Sequence, residues 1–350
     1  MKGRLTCVIS AAISVFLIIC TLNYTLNIGK EEKKNHNPVQ EAAQSEVVLQ
    51  DFIHDNYVIS EKNPWTDYSL HPLEYSAADN HVFQEEIRAK SAVLVDINSR
   101  TILYGKNENK QMYPASTTKL MTALTVLQIM SINDVVTIGD EVSLIASDSS
   151  KAGFSKGQMA TVEELLEGLL ISSGNDAAYV LAKAAGEAIF EDNIANEGKT
   201  FSNTQCIQRF ILEMNKNVRD MNLDNTHFTS PDGYDDRNQY TTATDLSKIA
   251  IEAYSNKVIS DICKKSSSYS ETLDKTWTST NQLLNKNGKF YYEYCQGLKT
   301  GSTDLAGKCL VSVGRKDGRE CVSVILNDNT DEERWSDTRK LLNFGLINLD

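Results

Sequence analysis

Residues 113–123 read Tyr113-Pro114-Ala115-Ser116-Thr117-Thr118-Lys119-Leu120-Met121-Thr122-Ala123, and they divide the chain into two regimes. Pro114 stands just ahead of an apolar run with helical spacing over 120–130, which marks a helix start and puts Ser116 in its first turn. Upstream, Ala92-Val93-Leu94-Val95-Asp96-Ile97 and Thr101-Ile102-Leu103-Tyr104 flank Asn98-Ser99-Arg100, the pattern of a β-hairpin. Downstream, helical spacing recurs over 162–170, 177–188 and 210–221. Strand-like runs return at 294–300, 308–314 and 320–326, the last two around a turn at Asp317-Gly318, and a final helix is expected over 332–344. Strands at both ends with helices between predict an α+β fold. Its antiparallel sheet would be formed from both ends of the region, flanked by helices, with an inserted all-helical lobe. The groove between lobe and sheet is where a site belongs.

Three short patterns carry chemistry. In the first, Lys119 lies three residues after Ser116 and projects from the same helix face. A serine hydroxyl attacks only when a base within hydrogen-bond reach takes its proton. A lysine is such a base only where burial or a nearby cation lowers its pKa. The helix N-terminus would add free backbone N–H groups for a developing oxyanion. By itself the pair also reads as a capping hydroxyl beside a solvated lysine.

The second pattern is Ser172-Ser173-Gly174-Asn175-Asp176, a polar bend between two apolar helical segments, which gathers its side chains at a helix–helix junction. An ordinary helix cap is the plainer reading. The third is Gly297-Leu298-Lys299-Thr300-Gly301, ending a strand. Lys299 can hold an anion, Thr300 can donate to it, and Gly301 lets a backbone approach closely. The alternative is a strand running into a turn with a surface lysine.

Taken together and in this order, the three patterns resemble the low-molecular-weight penicillin-binding proteins, specifically the D-alanyl-D-alanine carboxypeptidases. The resemblance covers about residues 89–345 and extends to Thr226-His227-Phe228, Pro231-Asp232-Gly233, Thr242-Ala243-Thr244-Asp245-Leu246 and Asn281-Gln282-Leu283-Leu284. It implies that Ser116 is the acylated nucleophile, Lys119 its general base and Ser173 a proton relay to the departing D-alanine amine. It also implies that Asn175 holds the substrate amide and that Lys299, Thr300 and Gly301 take the terminal carboxylate end, with Lys299 helping to keep Lys119 neutral. The oxyanion would lie between the backbone N–H groups of Ser116 and Ser302. No metal and no cofactor is implied. The partners implied are peptidoglycan stem peptides, with β-lactams as inhibitors of the same serine. A D,D-endopeptidase and a non-turnover β-lactam-binding sensor are the alternatives. A class A β-lactamase would need a glutamate for deacylation, and no Glu-x-x-Leu-Asn segment follows Asn175. Two positions depart from the family's usual pattern: Ser302 follows Lys-Thr-Gly, and Pro231-Asp232-Gly233-Tyr234 replaces a more usual Pro-His-Gly-Leu.

The rest of the chain sets the context. A net charge of -12 in 350 residues argues against nucleic acid, whose binders need a basic face. Lys2 and Arg4 precede an uncharged, mostly apolar stretch over 5–22, just long enough to span a bilayer. The positive flank should stay in the cytoplasm, so the chain is expected to be a single-pass cell-membrane protein with its catalytic domain on the extracytoplasmic side. A secretory signal has the same pattern, but no A-x-A-like cleavage site follows the run. The organisation expected is a membrane anchor or uncleaved signal over 1–28, a polar stalk over 29–85 and a catalytic domain over 86–350. Seven scattered cysteines without C-x-x-C spacing suit small buried hydrophobes better than a disulfide framework. Five histidines show no metal-ligand spacing, and His227 reads as structural.

Overall fold

The computed structural model describes residues 73–75, 83–192, 196 and 198–347. The apolar stretch over 5–22 and nearly all of the expected stalk therefore lie outside the described residues. Within them, no helix is long and apolar enough to cross a membrane.

A six-stranded sheet runs in the order β1-β3-β2-β10-β9-β8. Its strands are β1 (Glu74–Tyr75), β2 (Ser91–Asp96), β3 (Thr101–Lys106), β8 (Cys295–Thr303), β9 (Gly307–Lys316) and β10 (Arg319–Asp328). The antiparallel pairing of β2 with β10, from Ser91 opposite Leu326 to Asp96 opposite Cys321, joins the early hairpin to the late one. The sheet is thus built from both ends of the region, as the strand runs predicted. It is not wholly antiparallel: β1 pairs in parallel with β3 at the far edge. Those two residues fall inside the span 29–85 expected as a stalk.

Both sheet faces are covered, which explains why β2 reads as a continuous apolar run. Val93 and Val95 turn toward the helical core, and Ala92 and Leu94 turn toward the C-terminal helix α7 (Asp331–Leu346). The same period of two separates Val311 and Val313 from Leu310 on β9, and Val322 and Val324 from Cys321 and Ile325 on β10. At the β9–β10 turn Asp317 and Gly318 both have positive φ, 48° and 87°, as the tight hairpin requires. Cys321 faces Gly314 rather than Cys309, and both thiols are free.

Between the halves of the sheet come α1 (Lys119–Ile129), α2 (Val162–Leu170), α3 (Asn175–Glu191) and α4 (Asn203–Asp220), followed by α5 (Ala243–Ser255) and α6 (Lys257–Cys263). Capping boxes start two of them: Thr161 with Glu164 at α2, and Ser202 with Gln205 at α4. Two small ribbons lie outside the sheet, β4 (Val135–Thr137) with β5 (Met159–Thr161), and β6 (Ser267–Ser270) with β7 (Lys275–Thr278). The helical spacing did not single out α5 or α6, and the ribbons are too short to stand out as strands. The first helix also begins later than Pro114 indicated. Residues Ala115–Thr118 form a 3-10 turn and the α-helix starts at Lys119.

Gly186, inside α3, marks where α4 crosses it. A Cβ there would lie 1.9 Å from the Cys206 carbonyl oxygen, an overlap no rotamer can relieve. On propensity alone, Gly→Ala in a helix stabilises by about 1 kcal/mol. Gly186→Ala should invert that sign, costing about 1–3 kcal/mol by overpacking and lowering Tm by several degrees in a thermal melt. An unchanged or raised Tm would contradict the close crossing.

Candidate active site

The three patterns meet in one cleft of about 630 Å³, whose lining includes Ser116, Ser173, Asn175, Thr300, Gly301 and Ser302. Ser116 occupies the 3-10 turn ahead of α1. The residue before it, Ala115, has φ of 49°, a left-handed conformation that costs a non-glycine residue about 1 kcal/mol or more. Ser173 is a second such residue, φ 62°, at the bend between α2 and α3. Each strained residue sits where a helix start must aim a hydroxyl at the cleft.

Strand β8 forms the opposite wall. Gly301, singled out for close backbone approach, is where the nucleophile's own turn comes near. A Cβ at 301 would lie 3.0–3.2 Å from Ala115 Cβ, Pro114 O and Ser116 N. Because β8 ends the sheet order, its outer edge is unpaired, and an extended peptide can add to it as a further strand.

Lys119 is fully buried. Its Nζ contacts three oxygens: Ser116 Oγ at 2.8 Å, Asn175 Oδ1 at 2.7 Å and the Asp232 carbonyl at 2.8 Å. Burial pushes its ammonium down to about 8, against a partial opposite pull from Asp232 and Asp176. A neutral amine has two N–H bonds and one lone pair. Two of the three neighbours can only accept, so they take the two protons and leave the lone pair on the serine hydroxyl. The geometry is that of a base aimed at its nucleophile.

Lys299 is also fully buried, and its Nζ donates to the Thr300 carbonyl at 2.9 Å. Burial, and then the charge of Lys119, hold it well below the ordinary lysine range. Two buried lysine heads so placed disfavour charge on one another. Thr300 Oγ1 shares a 2.6 Å hydrogen bond with Thr280 Oγ1. Ser302 is exposed in the cleft wall, and its Oγ accepts from Lys308 at 3.0 Å.

Several residues that the patterns did not single out complete the site. The Asp176 carboxylate accepts from the backbone N–H groups of Ala152 at 2.7 Å, Gly153 at 2.7 Å and Phe154 at 2.9 Å. It thereby ties the loop that carries Asp148, Ser149 and Ser150 into the cleft wall. An acidic residue in a helix's first turn beside Asn175 was the available signal. Asp232 contributes its carbonyl to Lys119, while its side chain braces its own loop through Ser230 Oγ at 2.8 Å and Tyr234 N at 3.0 Å. The departure at 231–234 therefore leaves the contact to Lys119 in backbone hands. From α7, Arg334 donates to the carbonyls of Gly301 at 3.0 Å and Cys309 at 3.2 Å, fixing the end of β8. His227 lies outside the cleft lining, with Nδ1 2.8 Å from the Asn238 carbonyl.

Fold and cleft together set a serine hydroxyl against a buried lysine amine, the arrangement of a serine peptidase. The sequence matches the family model described as D-alanyl-D-alanine carboxypeptidase over residues 78–190 and 204–330, and the chain belongs to that family. It is 32% identical to the D-alanyl-D-alanine carboxypeptidase of Streptomyces sp. strain K15, over 75% of this chain and 89% of that one. It is 33% identical to DacA of Haemophilus influenzae, over 81% of this chain and 68% of the relative. It is 29% identical to DacF of Bacillus subtilis, of whose length it spans 62%. Among solved structures, the Streptomyces K15 DD-transpeptidase superposes with a TM-score of 0.67 at 31% identity, covering 75% of this chain and 99% of that one. Penicillin-binding protein D2 of Listeria monocytogenes, in an ampicillin-bound form, superposes with a TM-score of 0.61 at 25% identity, over 75% of this chain and 98% of that one.

The Lys119 geometry gives a pH signature. Only the neutral amine accepts the serine proton, and its fraction rises with pH. A base near pKa 8 is about one-tenth neutral at pH 7, whereas an ordinary lysine would be less than one-thousandth neutral. The second-order rate of acylation by a penicillin should rise roughly tenfold from pH 6 to 7 and level off above about pH 8. A rate still climbing tenfold per unit at pH 9.5 would contradict the buried base.

Proposed function

We propose that the chain is a serine D-alanyl-D-alanine carboxypeptidase that removes the terminal D-alanine from peptidoglycan stem peptides outside the cell membrane. The observation that carries this reading is the Lys119–Ser116 contact at 2.8 Å within a cleft bounded by an open edge strand.

The stem peptide pairs with the outer edge of β8 and places its terminal carboxylate at Lys299 and Thr300. That negative charge favours the ammonium of Lys299, and a charged Lys299 in turn disfavours charge on Lys119, which holds the base neutral. The Ser116 proton passes to Lys119 Nζ as Oγ bonds to the carbonyl carbon of the penultimate D-alanine. The oxyanion lies between the backbone N–H groups of Ser116 and Ser302. Asn175 spends its side-chain oxygen on Lys119, which leaves its amide nitrogen for a substrate carbonyl. When the C–N bond breaks, the D-alanine amine takes a proton that originates on Lys119 and travels through the Ser173 hydroxyl. Water then gives a proton to Lys119 and attacks the ester, and Ser116 leaves with that proton restored. A β-lactam would acylate the same serine and leave slowly.

The proposal extends to the whole chain. The apolar segment over 5–22 serves as a membrane anchor, 29–85 is largely a spacer, and residues from 86 onward are catalytic, with β1 at 74–75 as the spacer's point of attachment to the sheet. Charge asymmetry at Lys2 and Arg4 supports the orientation.

The test uses the full chain, wild type and Ser116→Ala, with diacetyl-Lys-D-Ala-D-Ala and a fluorescent penicillin. Wild type should release D-alanine and take the label, and Ser116→Ala should lose both by at least about 10³-fold, the scale set by removing a nucleophile. Labelling without release would instead favour an endopeptidase or a sensor that does not turn over.

A further inference from the structure

The mechanism makes no use of a buried carboxyl group behind the wall of the cleft. Strand β10 is bulged between Ile325 and Asp328, and Asn327 has φ 61° there. A bulge re-aims the side chains beyond it, and this one leaves Asp328 only 1% exposed, against the start of α7. Neither of its carboxyl oxygens has a hydrogen-bond partner among the described residues. A buried carboxylate is ordinarily hydrogen-bonded or paired, so an idle one marks a special state. The same junction borders the catalytic cleft. Asn327 Nδ2 donates to the Ala306 carbonyl at 2.9 Å, and Gly307, Lys308, Asn329 and Arg334 line the cleft itself.

Glu333, Arg334 and Asp337 face Asp328 from α7 and Lys106 faces it from β3, while Lys308 stands opposite it on β9 with Cys309 next. Their hydrogen bonds go mostly to other partners. Asp337 accepts from Ala89 N and from Lys340, both at 3.1 Å, and Glu333 pairs with Arg88 at 2.9 Å. Lys106 donates to the Ile87 carbonyl at 2.5 Å, and Lys308 to Ser302 Oγ at 3.0 Å. Arg334 gives Nη1 to the Gly301 and Cys309 carbonyls and Nη2 to Asp331 at 2.6 Å, and its Nε has no acceptor. Burial, and then the charges of Asp337 and Glu333, push the Asp328 carboxyl up to about 7, against an opposite pull from Lys106 and Arg334. An idle acceptor and an idle donor thus lie in one another's field with no bond between them.

We propose that Asp328 is a proton-operated latch behind the cleft wall: while neutral it lets Arg334 hold the end of β8, and on losing its proton it draws the unbonded Nε of Arg334 toward itself and loosens that end. The proton goes to solvent. The charge it leaves behind is met by the guanidinium, a charge-assisted hydrogen bond where there was none. The latch does not depend on the reaction that the cleft performs. Its effect on stability has a fixed sign. The unfolded chain gives up this proton near pH 4 and the folded chain at about 7, so the stabilisation is full below about pH 4 and is lost as the pH rises to about 7.

Two measurements on the full chain, wild type and Asp328→Asn, test it. The substitution keeps the shape of the neutral acid and cannot ionise. In urea denaturation, the ratio of folding constants, wild type to variant, should fall by up to about tenfold per pH unit from about pH 4 to about pH 7 and stay flat above. A ratio that is flat or rises over that range overturns the buried proton. Amide hydrogen exchange reads the latch itself, with α4 in the same sample as the reference that cancels the intrinsic pH dependence of exchange. In wild type, exchange over 299–309 relative to α4 should be roughly tenfold faster at pH 8 than at pH 6, the scale of one lost hydrogen bond from a charged donor. In Asp328→Asn it should not move. Equal relative exchange at the two pH values in wild type overturns the loosening of β8, whether or not the variant folds. A change that persists in Asp328→Asn belongs to another group and overturns the role of Asp328.

Discussion

A lysine head with no exposure to water is the constraint around which the rest of the molecule is arranged. Isolating an ammonium from water is costly, so Lys119 is driven toward the neutral amine. Three oxygens from three separate parts of the chain must then converge on one nitrogen: the nucleophile's turn, the start of α3 and the loop at Asp232. Each of those parts carries a visible cost. Ala115 and Ser173 occupy left-handed backbone conformations, and Gly233, beside Asp232, has φ 85° and no room for a Cβ, which would lie 1.9 Å from the Ala115 carbonyl oxygen.

The architecture explains how such a convergence stays rigid. The sheet closes by pairing β2 with β10, across more than two hundred residues, and is buried on both faces. The lobe with Ser173 and Asn175 packs against α1, and α1 packs in turn on α5, which covers β2, β9 and β10. Arg334, from the helix on the other face, reaches carbonyls on β8 and β9 and holds the end of the edge strand. Asp176 does the equivalent service for the lobe by fastening three consecutive N–H groups of the 152–154 loop. Lys119 and Thr300 in the cleft are thus held by hydrogen bonds from other elements.

Much of this was legible in the sequence because it rests on residue type and period. The alternation in Ala92-Val93-Leu94-Val95 and in β9 and β10 revealed the sheet, and the Ser116/Lys119 spacing revealed a shared face. Residues that work through the backbone could not be read in that way. The Asp232 carbonyl touches Lys119 whatever side chain stands there, and the strain at Ala115 leaves no mark in composition. The Tyr234 hydroxyl and the Asp148 carboxylate hydrogen-bond across 86 residues of chain, a pairing no local spacing announces. Short polar pieces such as β6 and β7 were equally silent, since they bury too little to produce a period.

The central claim is that Lys119 is neutral enough near physiological pH to take the serine proton, and it is tested most directly by observing that lysine titrate. The full chain labelled with ¹³C at lysine Cε, compared with Lys119→Ala to assign the resonance, should show one side chain titrating with a midpoint near pH 8 in the absence of ligand. A Lys119 resonance that titrates near 10.5, with the solvent-exposed lysines, would mean that burial does not create the base and would contradict the account.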